Sequence, residues 1–266
     1  MQTRNHIKNE LGSTDVVILC GGAGTRLANV VADRPKPMAE VNEKPFLDIL
    51  IDYFACFGLK RFILCAGHMS QVIKDHYAKK AGPLQFIISE EKTPLGTAGT
   101  IKNAQKFIKS DTFLVANGDS FCPVDLAEFY RFHFQKNALM SMAVTESKDT
   151  SNCGSVVLDN YQKIIDFQEK KPGSGFVNAG IYFFGKNILD LIAENTKCSL
   201  EYDLFPKLTD RNAYAFICRK ELIDIGTPQR YELAKKYFAD KAACFRTCTN
   251  RRTTKISTID ISPTER

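Results

Sequence analysis

Over roughly the first 120 positions, apolar runs of strand length alternate with segments of helical pattern. Residues 16–19 are apolar at every position, the pattern of a strand buried on both faces. Residues 60–67, 84–89 and 112–116 read as the next three strands. Between them, an apolar segment opened by Pro45, carried by Phe46, Leu47, Ile49, Leu50, Ile51 and Phe54 and closed at Gly58, reads as a helix. Residues 72–80 and 98–109 read likewise. Such alternation predicts a parallel sheet with helices on both faces, and ligands bind such sheets at the carboxyl ends of the strands. From Met140 onward strands dominate, at 140–145, 155–158, 163–169, 177–184 and 214–217, with helices expected at 187–194 and 229–239. Neither a linker nor an internal repeat separates the halves. The expectation is an α/β protein with one mixed, mostly parallel sheet in a single domain over residues 14–238. Residues 1–13 read as an N-terminal extension and residues 239–266 as a tail.

The first strand stops at Cys20-Gly21-Gly22-Ala23-Gly24-Thr25-Arg26-Leu27, and Arg34-Pro35-Lys36-Pro37 follows. A glycine loop at the end of a parallel strand can turn several amide N–H groups toward phosphate oxygens. Arg26 and Lys36 add positive charge where a triphosphate would lie. The dinucleotide fingerprint fails because Leu27 stands at its third glycine, and the Walker loop fails because Gly24-Thr25-Arg26 replaces Gly-Lys-Ser/Thr. The glycines alone are explained by a tight strand-to-helix turn. With the two cations added, the block reads as a nucleotide site running from Leu19 to Thr25.

Asn117-Gly118-Asp119 follows the strand at 112–116, where an aspartate can hold Mg²⁺ against phosphate oxygens, although the tripeptide is also a good turn. Asp224, before Ile225-Gly226-Thr227-Pro228, is a second carboxylate after a strand; it fits a shared metal or the start of a helix. Pro94-Leu95-Gly96-Thr97-Ala98-Gly99 sets glycines ahead of a helix and reads as a capping loop or a nucleobase slot. If Glu91 lines that slot, a carboxylate accepting with both oxygens suits the adjacent N–H donors of guanine. Glu169-Lys170 and Asn178-Ala179-Gly180 could hold the phosphate and hydroxyls of a sugar, as could Glu201, or they are a charged loop, a hairpin turn and a surface residue. His6, His68, His76 and His133 show no metal spacing, and no Ser/His/Asp or Cys/His arrangement supports hydrolysis.

Composition narrows the class. The chain has 266 residues, 44% hydrophobic and 25% charged, ordinary for a globular protein. It has no apolar run of membrane-spanning length and no signal-peptide pattern, so no membrane partner is expected. Nine scattered cysteines read as reduced thiols and place the protein in the cytoplasm, and Cys244-x-x-x-Cys248 lacks a second ligand pair for zinc. Half of the net charge of +6 lies in the basic, Thr-rich tail, which reads as mobile and solvated. The nearly neutral remainder gives no nucleic-acid partner. A homo-oligomer is left open.

The glycine loop with Arg26, the Pro35-Lys36-Pro37 turn, residues 94–99, Asn117-Gly118-Asp119, Glu169-Lys170, Asn178-Ala179-Gly180 and Asp224-Ile225-Gly226 occur in the order found in the sugar-1-phosphate nucleotidyltransferases. The chain resembles that family over residues 14–238. Within it, the chain is most similar to the D-glycero-α-D-manno-heptose 1-phosphate guanylyltransferases, with mannose-1-phosphate enzymes as near relatives. The resemblance implies a Rossmann-like nucleotidyltransferase fold, Mg²⁺ dependence, and conversion of a nucleoside triphosphate (GTP favoured) and a sugar 1-phosphate into a nucleotide sugar and pyrophosphate. It implies Arg26 and Lys36 as the phosphate-binding pair and Asp119 and Asp224 as metal ligands. An inactive regulatory homologue would be expected to have lost one of these four, and this chain keeps them all.

Overall fold

The computed structural model describes residues 10–22, 24–151, 153–169 and 171–241. Ala23, Lys170, most of the N-terminal extension and the tail from residue 242, with Cys244 and Cys248, lie outside the described residues. A nine-stranded sheet forms the centre. Its strands are β1 (Asp15–Leu19), β2 (Arg61–Ala66), β3 (Gln85–Glu90), β4 (Thr112–Asn117), β5 (Met140–Ser147), β6 (Gly154–Leu158), β7 (Ile164–Glu169), β8 (Gly175–Gly185) and β9 (Ala213–Ile217). The sheet is flanked by α1 (Phe46–Cys56), α2 (Ser70–Ala78), α3 (Gly96–Asn103), α4 (Leu126–Gln135) and α5 (Pro228–Asp240), and residues 10–13 are helical ahead of β1.

The order across the sheet is β7-β6-β8-β4-β1-β2-β3, with β5 on the other edge of β8 and β9 beyond β5. Strands β1 to β4 pair in parallel. β8 runs antiparallel to β4, β5 and β6, and β7 is antiparallel to β6. All strands but β7 and β8 therefore point the same way, the mixed and mostly parallel sheet expected. β1 is level with both neighbours, Leu19 lying beside Cys65 on β2 and Asn117 on β4, so three carboxyl ends open at one rim.

Both faces of β1 are buried, as its unbroken apolar run requires. Val16 and Ile18 face one core with Phe46, Leu50 and Phe54 of α1, Phe129 of α4 and Ala234 of α5. Val17 faces the other, with Ala98 and Ile101 of α3, Tyr182 and Phe205. Leu11, from the expected N-terminal extension, is only 1% exposed and belongs to the first core.

Three elements differ from expectation. Helix α4 was not anticipated, although Leu126, Phe129, Tyr130 and His133 are buried at helical spacing and the Asp125 carboxylate caps the helix by accepting from Ala127 N and Glu128 N. Its exposed face carries Phe134, which blurs the pattern. Helix α3 stops at Asn103 and gives way to a 3-10 turn, Gln105–Phe107. Residues 187–194 form a 3-10 turn, Lys186–Leu191, rather than an α-helix. No helix among the described residues is long and apolar enough to cross a membrane.

Candidate active site

At the rim where β1, β2 and β4 end lies a cavity of about 750 Å³. The glycine loop forms one wall: Leu19, Gly21, Gly22, Gly24, Thr25 and Arg26 all line it. Gly24 has φ +61°, and a methyl group there would sit 3.0 Å from Lys36 Cβ. Only glycine takes that conformation at low cost, and its lack of a side chain lets the loop close over the stem of Lys36. Lys36 opens a 3-10 turn, Lys36–Met38, whose start Pro35 fixes at φ −66°. Gly118 N donates to Leu19 O at 3.0 Å, which holds the turn after β4 against the end of β1.

The charged groups converge here. Lys36 Nζ lies 2.5 Å from Asp119 Oδ2, with the lysine side chain 12% and the aspartate 39% exposed. A two-residue ladder, Ser120–Phe121 against Ile223–Asp224, brings the second carboxylate alongside, and Ile225 N donates to Asp119 O at 3.1 Å. A methyl group on Gly226 would sit 2.7 Å from Asp224 Oδ1, 3.7 Å from Lys36 Nζ and 3.8 Å from Arg26 Nη2. One small space is thus ringed by both expected cations and an expected metal aspartate. Asp224 Oδ2 pairs with Arg230 Nη1 at 2.9 Å, and its Oδ1 accepts from Gly226 N at 2.8 Å.

Oxygen donors of this kind suit a hard cation. Mg²⁺ is commonly held by one or two carboxylates, with substrate phosphates and water completing its shell. Asp119 is partly exposed beside the cavity and Asp224 is on the adjoining ladder, so the residues present fit such an ion.

Residues 91–100 form the opposite wall, through Glu91, Lys92, Thr93, Pro94, Gly96, Thr97 and Thr100. Glu91 Oε2 accepts from Thr100 Oγ1 at 2.5 Å and from Leu95 N at 3.4 Å. Its Oε1 lies where methyl groups on Gly21 or Gly67 would fall, at 2.9 and 2.7 Å. Accepting a base with both oxygens would therefore mean releasing Thr100. Gly96, at φ +74°, presses against Cys198 O, and Thr97 does not cap α3: its hydroxyl donates to Glu201 Oε2 at 3.0 Å and accepts from Leu200 N at 2.7 Å.

The expected sugar residues lie on the far side of β4. A bulge between Asn178 and Tyr182 of β8 sets Gly180 against Asn117 and Ser120. Asn178 Oδ1 accepts from Gly180 N at 2.8 Å, and its amide donates to Tyr182 Oη at 2.7 Å. Glu169, at the end of β7, packs on Gly154. Glu201 stands behind Thr97. Among these, Asn117 and Thr97 line the cavity while Glu169, Asn178, Gly180 and Glu201 do not. Sequence reasoning missed Gly67 and His68 after β2, Lys92, Thr93, and Arg230 beside Asp224. The carboxyl-end position of Gly67-His68 was the available signal. Cys20, where burial pushes the thiol far up, is a neutral filler under the loop.

Comparison with known proteins agrees with this geometry. The nucleotidyl transferase family profile matches residues 15–241. A D-glycero-α-D-manno-heptose 1-phosphate guanylyltransferase from Campylobacter jejuni is 36% identical over 81% of this chain and 96% of its own length. The enzyme of the same name from Aneurinibacillus thermoaerophilus is 33% identical, over 84% of this chain and 97% of its own. The crystal structure of HddC from Yersinia pseudotuberculosis superposes with a TM-score of 0.76 at 34% identity, covering 85% of this chain and 99% of that one. Its complex with GMP-PN gives 0.74. Matched by the family profile along nearly all of its described length, and by relatives of this identity along theirs, this chain belongs to the nucleotidyl transferase family of enzymes.

Proposed function

We propose that the protein transfers a guanylyl group from GTP to D-glycero-α-D-manno-heptose 1-phosphate, giving the GDP-sugar and pyrophosphate, with Mg²⁺ held by Asp119 and Asp224. The observation that carries this is the convergence of Arg26, Lys36 and Asp224 around one small space, with Asp119 on Lys36, at the mouth of a glycine-walled cavity. The names of the relatives from Campylobacter jejuni and Aneurinibacillus thermoaerophilus support guanine and heptose.

A sugar phosphate oxygen is already anionic at neutral pH, so the reaction needs no general base. The barrier lies in bringing two anions together and in stabilising charge on the α-phosphate and the departing pyrophosphate. Arg26 and Lys36 neutralise that charge, and the amides of Gly21, Gly22, Gly24 and Thr25 align the triphosphate for in-line attack. Bound Mg²⁺ would add Lewis-acid neutralisation of the phosphate oxygens. Glu91 favours guanine through Oε1, with Pro94, Gly96 and Thr97 completing the base slot. Asn117 and Gly118 position Asp119. The acceptor enters from the β8 side, toward Glu169, Asn178 and Gly180, while Glu201 orients Thr97.

The test is pyrophosphate release from a grid of nucleoside triphosphates and sugar 1-phosphates, with Mg²⁺ and with chelator. Release with GTP and the manno-heptose phosphate alone is expected. Release with UTP or dTTP overturns the base assignment, and release with mannose 1-phosphate overturns the sugar. Silence across the grid from folded protein overturns the reading.

A further inference from the structure

Behind the ladder that joins Asp119 to Asp224, Cys122 and Cys218 bring their sulfur atoms within 3.5 Å across 96 positions of sequence. Both are free thiols, Cys122 buried and Cys218 partly exposed. Cys122 directly follows the Ser120–Phe121 limb, and Cys218 directly follows β9 and leads into the Ile223–Asp224 limb. The sulfurs therefore sit at the root of both limbs. Cys218 is anchored by its N–H and its thiol, which both donate to Val144 O, at 2.9 and 3.1 Å. Beside it a hollow of about 440 Å³ is lined by Thr145, Glu146, Arg219, Lys220 and Glu221. Arg219 and Lys220 are exposed, so solvent and small solutes reach the edge of Cys218 past two cations. The hydrogen bond the two sulfurs share lowers the Cys218 thiol and raises that of Cys122.

We propose that Cys122 and Cys218 are a modification site, a dithiol that hydrogen peroxide closes into a disulfide and a small dithiol reopens, altering the spacing of Asp119 and Asp224. The Cys218 thiolate attacks one peroxide oxygen, the O–O bond breaks, and the departing hydroxide takes up the proton that Cys218 had released, leaving a sulfenic acid and water. The Cys122 sulfur then attacks the Cys218 sulfur, the S–O bond breaks and a second water leaves with the Cys122 proton. The two thiols give up two electrons, and the peroxide is reduced to two waters. Cys218 is the attacking sulfur because it is the exposed and more acidic one.

Closure shortens the sulfur gap from 3.5 Å to about 2.0 Å, a movement shared between rotation of the two side chains and the limbs that carry them. A displacement of about 1 Å at groups that position a reacting phosphate costs on the order of 10²-fold in rate. This consequence rests on the proposed function, whereas the disulfide does not.

The experiment treats the full-length protein with hydrogen peroxide under native conditions, blocks remaining thiols with N-ethylmaleimide and maps peptides by mass spectrometry. The expected product is a Cys122–Cys218 linked peptide, reversible with dithiothreitol. Turnover should fall by roughly 10- to 100-fold and recover on reduction, while Cys218→Ser forms no link and keeps its turnover through the same treatment. Finding both cysteines alkylated after peroxide, or Cys218 as sulfinic acid beside a free Cys122, overturns the proposal. A link without loss of turnover overturns its effect on the site. Absence of turnover before oxidation refutes the proposed function instead, and the map on unmutated protein still judges the pair.

Discussion

Lys36→Met separates catalysis from folding at this site. Methionine keeps the unbranched stem that fills the space under Gly24, where Lys36 Cβ lies 3.0 Å from the missing methyl, and removes only the charge. In the folded protein that charge meets Asp119 at 2.5 Å, but the aspartate is 39% exposed and stays hydrated when its partner goes. Although the lysine is 12% exposed, a pair whose carboxylate is this open to solvent contributes about 1 kcal/mol or less. In a domain of this size that shifts Tm by about 2–4 °C. The chemical term is larger, because a cation 4 Å from a phosphate oxygen at an effective dielectric of 20 is worth about 4 kcal/mol. Removing one preorganised charge of this kind costs roughly 10²- to 10³-fold in kcat. The assay is pyrophosphate release under saturating GTP and acceptor, with a thermal melt on the same preparation. Turnover within about threefold of the parent would place Lys36 away from the reacting phosphates. A Tm drop beyond about 10 °C would make it structural.

Other perturbations separate other parts of the argument. Gly96→Ala forces a side chain onto φ +74° and a methyl 2.5 Å from Cys198 O, so chemical denaturation should show a loss of roughly 2–4 kcal/mol; an unchanged midpoint would refute the contact. His133 is buried against Ser141 Oγ at 2.9 Å and its imidazole is held down to about 4 by desolvation. The folded state therefore resists a proton that the unfolded chain takes up near pH 6.5, so this stability is complete above pH 6.5 and disappears as pH falls through 4. It amounts to about 3 kcal/mol, and urea unfolding of His133→Gln should show a flatter dependence between pH 7 and 4; identical slopes would sink the assignment. Glu91→Gln keeps the shape of the side chain between Gly21 and Gly67, and its GTP over UTP preference in kcat/KM should fall by about tenfold or more. An unaltered ratio would leave Glu91 as a strut for Thr100.

The glycine-loop side of the cavity was legible because its signals are local. An unbroken apolar strand, a glycine cluster, Arg26 and Lys36 fall within 21 positions, Val16 to Lys36, and act on one another directly. The limb bearing Asp224 was harder to read. Its strand is only two residues long and belongs to a separate ladder, and the pairing of Asp224 with Arg230 depends on where α5 begins. Glu91 shows a different limit: its place beside the cavity follows from the strand before it, but the use of Oε2 by Thr100 and Leu95 depends on how α3 packs back. Helix α4 was hidden by apolar residues on its exposed side. The break in α3 after Asn103 follows no proline, and no glycine stands at that end of the helix to mark it.

The reversed direction of β8 has an evolutionary consequence. One edge of this strand meets β6 at its start and β4 further along, so the two halves of the sheet are seamed along a single chain segment. The glycine loop and both cations lie on one side of that seam, the β6–β7 hairpin lies on the other, and the bulge at Gly180 lies in the seam itself. Under the proposed function, a chain organised in this way can exchange the hairpin and the bulge, and with them the acceptor, while the triphosphate end is inherited unchanged. On that proposal, changes of sugar should accumulate on the β6 side of β4, and changes of base on the β2 side of β1.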